Sequence, residues 1–127
     1  MILPILIGTI LYIAIGMLYY SPLLFGSRWV DLLNIRDAKQ PNYGLVSLVT
    51  LFTVAVLYSL LVVSGAETAL DGAFLGFLTG LIVVFAYSKD FLFGLGHATR
   101  DARTTFMIGA GYHLIALTAA GTVMSLF

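Results

Sequence analysis

Four long apolar runs dominate the chain, and short polar segments separate them. The runs cover residues 2–20, 43–63, 69–87 and 106–127, and Asp71 is the only aspartate, glutamate, lysine or arginine inside them. Each run has the roughly 20 residues that an α-helix needs to cross a bilayer. None shows the alternating polarity of a membrane strand, and a bilayer offers the backbone no water. The pattern predicts an all-α, polytopic membrane protein with four transmembrane helices in one domain, residues 1–127.

The composition also indicates a membrane protein. Hydrophobic residues make up 61% of the chain and charged residues only 9%, against about 25% charged residues in a soluble domain. Six basic residues balance six acidic ones, and no basic run is present. This balance argues against nucleic acid as a partner and leaves the lipid bilayer as the expected one. The chain has no cysteine, which excludes disulfides and cysteine-based zinc sites.

The basic residues predict how the chain is oriented. All six lie in segments 21–42 and 88–105. The positive-inside rule places both segments in the cytoplasm and both termini on the extracytoplasmic side of the cell membrane. Several aromatic residues lie at the same predicted boundary, where amphipathic rings favour the headgroup level: Tyr19, Tyr20, Trp29, Tyr43 and Tyr87.

Helix-start signals are visible at two places. Thr68 and Asp71 fit a capping box before the third span. After the first span, Ser21 is a suitable N-cap and Pro22 a suitable first helical residue. Apolar residues then recur at helical spacing: Phe25, Trp29, Leu32 and Leu33. This pattern predicts a short amphipathic helix at the membrane interface, which we interpret as a surface anchor, with a gate or a docking surface as alternatives.

The segments that follow the first and third spans resemble each other. Residues 20–26 read Y-S-P-L-L-F-G, and residues 87–94 read Y-S-K-D-F-L-F-G. We interpret the similarity as a duplicated helical hairpin, an arrangement found in some transporters, with chance resemblance as the alternative.

Glycines form a stripe along the third span. Gly72, Gly76 and Gly80 recur at every fourth residue, and residues this small let another backbone approach closely. The stripe is expected to pack against the first or fourth span of the same chain. Contact with a second copy is the alternative, so a homo-oligomer stays open.

His113 is the one histidine inside a span, and it lies near the middle of the fourth. Hydroxyl groups that could bond to it belong to Tyr12 of the first span and to Ser47, Thr50, Thr53 and Tyr58 of the second. The candidate polar site comprises His113, Tyr112, Tyr12, Thr50 and Tyr58. Two interpretations are kept: a neutral histidine that bonds neighbouring helices, or a proton relay or substrate contact. A metal site is disfavoured, because no other histidine or acid lies at that depth.

No pattern in the chain predicts an enzyme. His97 and Asp101 are spaced to pair on one helical turn, but no third ligand and no nucleophile accompany them. Walker, HExxH and G-x-S-x-G motifs do not occur. The sequence therefore predicts no catalytic residue, no metal and no cofactor.

Two segments resemble a known family. Residues 16–29 read G-M-L-Y-Y-S-P-L-L-F-G-S-R-W and resemble the G-x-L-W-Y-S-P-x-L-F-G-x-x-W segment of the small bacterial and archaeal membrane proteins called domain of unknown function 1761. Residues 109–114 are similar to the A-G-Y-H-L run of that family's last helix. Where the family reads L-F-E-G-R after the third span, residues 92–96 read L-F-G-L-G and lack the acid. The resemblance implies a four-helix membrane protein and no particular activity.

The preferred function is therefore a non-catalytic accessory or membrane-organising protein of unassigned biochemistry. The alternative is a subunit of an oligomeric small-solute or proton-coupled transporter or channel with His113 in its path. A water-filled cavity that reaches His113 would favour transport, and a sealed apolar core would favour the accessory role.

Overall fold

A computed structural model describes residues 1–33, 41–93 and 101–127. Within these residues the chain forms helices and no strands: α1 (Ile2–Tyr19), α2 (Gly26–Leu32), α3 (Tyr43–Ser64), α4 (Ala69–Tyr87), a π-helical turn that continues α4 (Ser88–Phe93), and α5 (Ala102–Met124). The four long helices are long and apolar enough to cross a membrane. The predicted all-α fold with four helices of transmembrane length is confirmed.

The ends of α3 and α4 are fixed by side chains that bond to the backbone. The Asn42 side chain accepts a hydrogen bond from the Leu45 amide at 3.1 Å, and the C-cap residue that follows α3 is Gly65, which has a φ of 65°. The predicted capping box is present at α4. The Thr68 amide donates to the Asp71 carboxylate at 3.0 Å, and the Asp71 amide donates to the Thr68 hydroxyl at 3.2 Å.

The short helix α2 begins at Gly26, so the predicted start at Pro22 is wrong. Ser21 is not its N-cap, because the Ser21 hydroxyl donates to the Leu18 carbonyl at 2.7 Å and completes the end of α1. The Gly26 amide donates back to the Ser21 carbonyl at 2.9 Å, which closes a turn between the two helices. Phe25 consequently occupies the N-cap position and lies outside the helical repeat.

The predicted apolar side of α2 packs in part against the long helices. The Trp29 ring lies 5.3 Å from the Tyr20 ring, centroid to centroid, and next to Gly109 of α5. Leu32 is half-buried, whereas Phe25 and Leu33 are exposed. The location of this helix at a membrane interface stays a prediction.

Helix α5 extends beyond the polar end of the predicted fourth span. It begins at Ala102 rather than at residue 106 and ends at Met124 rather than at residue 127. The amide and the hydroxyl of Thr105 both bond to the Asp101 carbonyl, at 3.0 and 3.1 Å. Hydropathy marks only the apolar part of a helix, so the polar first turn lay outside the predicted span. Asp101 is at the N-cap, but its side chain forms no capping bond.

The glycine stripe of α4 lies against α5 of the same chain. Gly72, Gly76 and Gly80 are all buried. A Cβ atom on Gly76 would meet the Leu117 carbonyl oxygen, and one on Gly80 would lie 2.8 Å from the Leu114 side chain. The two backbones therefore touch along most of the interface, and α4 and α5 run antiparallel.

The apolar core lies between α1, α3 and α5. Its buried members come from all three helices: Tyr12, Val54, Leu57, Leu61, Ala116, Leu117, Ala120 and Met124. Gly8 of α1 provides the space at the centre, because a Cβ atom there would lie 2.5 Å from the Met124 sulfur and 2.8 Å from Val54. This packing fixes the second half of α3 against the bundle.

The resemblance between the two hairpins is limited to the helix ends. The Ser88 hydroxyl donates to the Phe85 carbonyl at 2.8 Å, as Ser21 does to Leu18. Beyond the serines one segment forms a turn and α2, and the other forms a π-helical turn. In the second hairpin, glycines pack α4 closely against α5. In the first hairpin, formed by α1 and α3, the first half of α3 is exposed. Duplication stays an interpretation.

Candidate functional site

His113 is hydrogen-bonded through both of its ring nitrogens. Nδ1 lies 2.6 Å from the Tyr12 hydroxyl of α1, and Nε2 lies 3.1 Å from the Tyr87 hydroxyl at the end of α4. His113 itself lies midway along α5. One side chain therefore bonds three of the four long helices together.

A neutral His113 ring donates through one nitrogen and accepts through the other. One of the two tyrosine hydroxyls therefore donates to the ring, and the other accepts from it. The Tyr112 hydroxyl donates to the Tyr12 backbone carbonyl at 3.3 Å, which adds a further link between α5 and α1.

Aromatic rings surround His113 and the two tyrosines that bond to it. Tyr112 is at the centre, with its ring 5.5 Å from Tyr12 in an edge-to-face arrangement at 86° and 5.2 Å from Tyr20. Such pairs contribute about 0.5–1.5 kcal/mol beyond their buried area. Gly16 makes room for Tyr112, because a Cβ atom there would lie 2.7 Å from its hydroxyl. We call Tyr12, Tyr87, Tyr112 and His113 the tyrosine–histidine cluster.

A cleft of about 360 Å³ opens beside this cluster, between α1, α3 and α5. Residues of all three helices line it: Tyr12, Leu45, Val46, Val49, Thr50, Thr53, Tyr112 and His113. It exists because α3 leans away from the bundle. Residues 43–49 are exposed, whereas Val54, Leu57 and Leu61 are buried further along the helix.

Comparison with known families identifies the chain at the level of its family. The sequence model of a family described as "Protein of unknown function (DUF1761)" matches residues 3–125, nearly the whole chain. The chain belongs to the DUF1761 family. Searches of curated proteins and of solved structures gave no match.

In this DUF1761 protein, most of the predicted polar residues lie around the cleft. Tyr12, Thr50, Tyr112 and His113 all line it. Thr50 does not bond to His113, since its hydroxyl donates to the Val46 carbonyl at 2.8 Å. Tyr58 lies elsewhere: it packs against the apolar core, about 12 Å further along α3 than Thr50 at 1.5 Å per residue.

Tyr87 is the member of the cluster that the sequence analysis missed. Its position at the end of the third span indicated a residue of the membrane boundary. A second signal was present, because Tyr87 follows Gly80 by seven residues and therefore shares the face of the glycine stripe. That face is the one that packs against α5, which brings Tyr87 to His113.

Only one member of the other predicted polar pair, Asp101, is described by the structure. His97 lies outside the described residues, so its spacing with Asp101 stays a prediction. Among the residues that are described, no group of three or more histidine, aspartate or glutamate side chains could hold a metal ion.

Proposed function

We propose that this DUF1761 protein is a non-catalytic accessory or membrane-organising protein in which His113 holds the helices together. The observation that carries the proposal is that both ring nitrogens of His113 bond to tyrosines of the same chain, at 2.6 and 3.1 Å. A neutral imidazole has only these two polar atoms. Because both are engaged, the ring has the bonding expected of a structural contact between helices.

Transport is the second candidate function, since the cleft reaches His113. Apart from His113, the described residues that line it are tyrosine, leucine, valine and threonine, and none of these is acidic or basic. A charged solute would lose its hydration in such a cleft without gaining a counter-charge. This chemistry supports the accessory role over a path for ions.

The proposal includes the orientation of the protein in the cell membrane. We propose a multi-pass arrangement with both termini extracytoplasmic and segments 21–42 and 88–105 cytoplasmic. Helix α5 runs antiparallel to α1 and α4, with Gly8 near Met124 and Gly80 near Leu114. The end of α1, the end of α4 and the start of α5 therefore lie on the same side of the bundle. The exposed basic residues next to these helix ends are Arg28, Lys89 and Arg103.

Cysteine labelling tests this orientation. The natural chain has no cysteine, so each introduced thiol is the only one. In intact cells an impermeant thiol reagent should label Glu67→Cys and leave Arg28→Cys and Lys89→Cys unlabelled, and all three sites are exposed on the protein. Permeabilised cells provide the control, in which all three should react. Labelling of Arg28→Cys and Lys89→Cys but not Glu67→Cys would contradict the orientation. Lys39 and Arg100 would serve the same purpose but lie outside the described residues.

Reconstitution into liposomes tests the accessory role against transport. Vesicles that contain the purified protein and an internal pH dye should show the same proton flux as protein-free vesicles, with and without an imposed potential. A flux that appears with the protein, is lost in His113→Gln and persists in Thr79→Val would instead establish the transport function. Thr79 is a suitable control, because its hydroxyl bonds to Leu75 within α4 at 2.8 Å, away from the cleft.

A further inference from the structure

The cleft beside His113 has the volume of a small-molecule site. Its volume of about 360 Å³ falls within the range of about 300–1,000 Å³ that is usual for ligand pockets. Leu45, Val46 and Val49 form the wall on α3, and all three side chains are exposed. Since α3 is one of the helices apolar enough to span a membrane, a molecule dissolved in the hydrocarbon would meet an apolar entrance.

The polar atoms at the inner end of the cleft are mainly hydrogen-bond acceptors. The hydroxyls of Thr50, Thr53 and Tyr112 each donate their proton to a backbone carbonyl, at 2.8, 2.9 and 3.3 Å. A hydroxyl oxygen has two lone pairs besides its proton. These oxygens can therefore each accept a bond, but they have no proton left to donate.

We propose that the cleft binds a lipid-soluble alcohol. The alcohol's hydroxyl donates its one proton to the oxygen of either Thr50 or Tyr112, and its apolar chain lies along Val46 and Val49 towards the open side. A ligand whose polar group only accepts, such as an ether, finds no donor at this position. An ammonium group finds no carboxylate among the described residues that line the cleft. Such a site goes beyond an accessory role and does not depend on it.

Farnesol and its methyl ether form a matched pair of probes. They share the apolar chain, and only the alcohol can donate a hydrogen bond. With the protein in lipid nanodiscs, a diazirine analogue of farnesol should photolabel residues 45–53, and unlabelled farnesol should displace it. The methyl ether should compete about fivefold more weakly, which corresponds to about 1 kcal/mol for one neutral hydrogen bond.

Substitutions in the cleft identify the acceptor. Thr50→Val and Tyr112→Phe keep the side-chain shape and remove one oxygen each. Since farnesol has one proton to donate, the variant that lacks its acceptor should weaken farnesol binding about fivefold, and the other should bind farnesol as the natural protein does. Val49→Trp should block photolabelling, and it can fold because Val49 is 63% exposed. Thr79→Val removes a hydroxyl with the same type of backbone bond and should leave binding unchanged.

Two results would overturn the proposal. If the methyl ether competes as well as farnesol, or if Thr50→Val and Tyr112→Phe both bind farnesol like the natural protein, the cleft accepts any apolar chain. If residues 45–53 are not labelled, the cleft is not a site for such molecules. Neither result affects the proton-flux experiment, so the failure of this proposal is distinguishable from the failure of the accessory role.

Discussion

Replacing Gly76 with leucine should lower the free energy of unfolding by about 1–3 kcal/mol, the cost of overpacking a close contact. A Cβ atom at this position would meet the Leu117 carbonyl oxygen and lie 2.9 Å from the Thr118 Cα atom. Both are backbone atoms, which cannot rotate out of the way as a side chain can. The two helices would have to separate along the glycine stripe, and thermal denaturation in detergent should show the loss.

Gly44→Leu provides the matched control for this prediction. Gly44 is exposed on α3, and among the described residues a Cβ atom there would approach only the Asn42 side chain, at 3.4 Å. The same substitution should therefore leave the melting temperature nearly unchanged. The oligomeric state of Gly76→Leu should equal that of the natural protein, because the stripe packs within one chain. Dissociation of an oligomer into folded monomers would show that the stripe is a contact between copies, and an unchanged melting temperature would show that it faces lipid.

Replacing His113 with leucine should lower the free energy of unfolding by about 1–2 kcal/mol, the scale of polar contacts between helices in membranes. The change removes the bonds to Tyr12 and Tyr87 and leaves both hydroxyls without this partner. His113→Gln should cost less, because an amide can both donate and accept. Equal losses for glutamine and leucine, measured by denaturation in the same detergent, would mean that the hydrogen bonds contribute little and the ring acts only by its volume.

Much of this fold follows from composition and spacing. The four helices of transmembrane length follow from the apolar runs, and the α4 start follows from Thr68 and Asp71. The predicted start of α2 was wrong, because two local hydrogen bonds of the Ser21 hydroxyl compete. Ser21 can cap a new helix or close the previous one, and its bond to Leu18 shows that it does the second.

The arrangement of the candidate site was harder to predict, because the long helices are apolar on every side. In a soluble helix the polar face shows which side is outside, but a lipid-facing side of α3 has the same residue types as a core-facing side. Val49 and Val54 are both valines, yet one is exposed and the other buried. The outward lean of α3 could not be deduced for that reason. His113 and Tyr12 could be selected, since few polar groups lie within the spans, whereas Tyr87 was assigned to the boundary.

The most direct test of the structural role of His113 is a double-mutant cycle with Tyr12, whose hydroxyl lies 2.6 Å from Nδ1. Unfolding free energies of the natural protein, Tyr12→Phe, His113→Leu and the double variant should give a coupling energy of about 1 kcal/mol. Tyr58→Phe, which lies away from the cluster, should add to His113→Leu without coupling. Losses for Tyr12→Phe and His113→Leu that add within about 0.3–0.5 kcal/mol would contradict the account, because the two side chains would then not be holding α1 and α5 together.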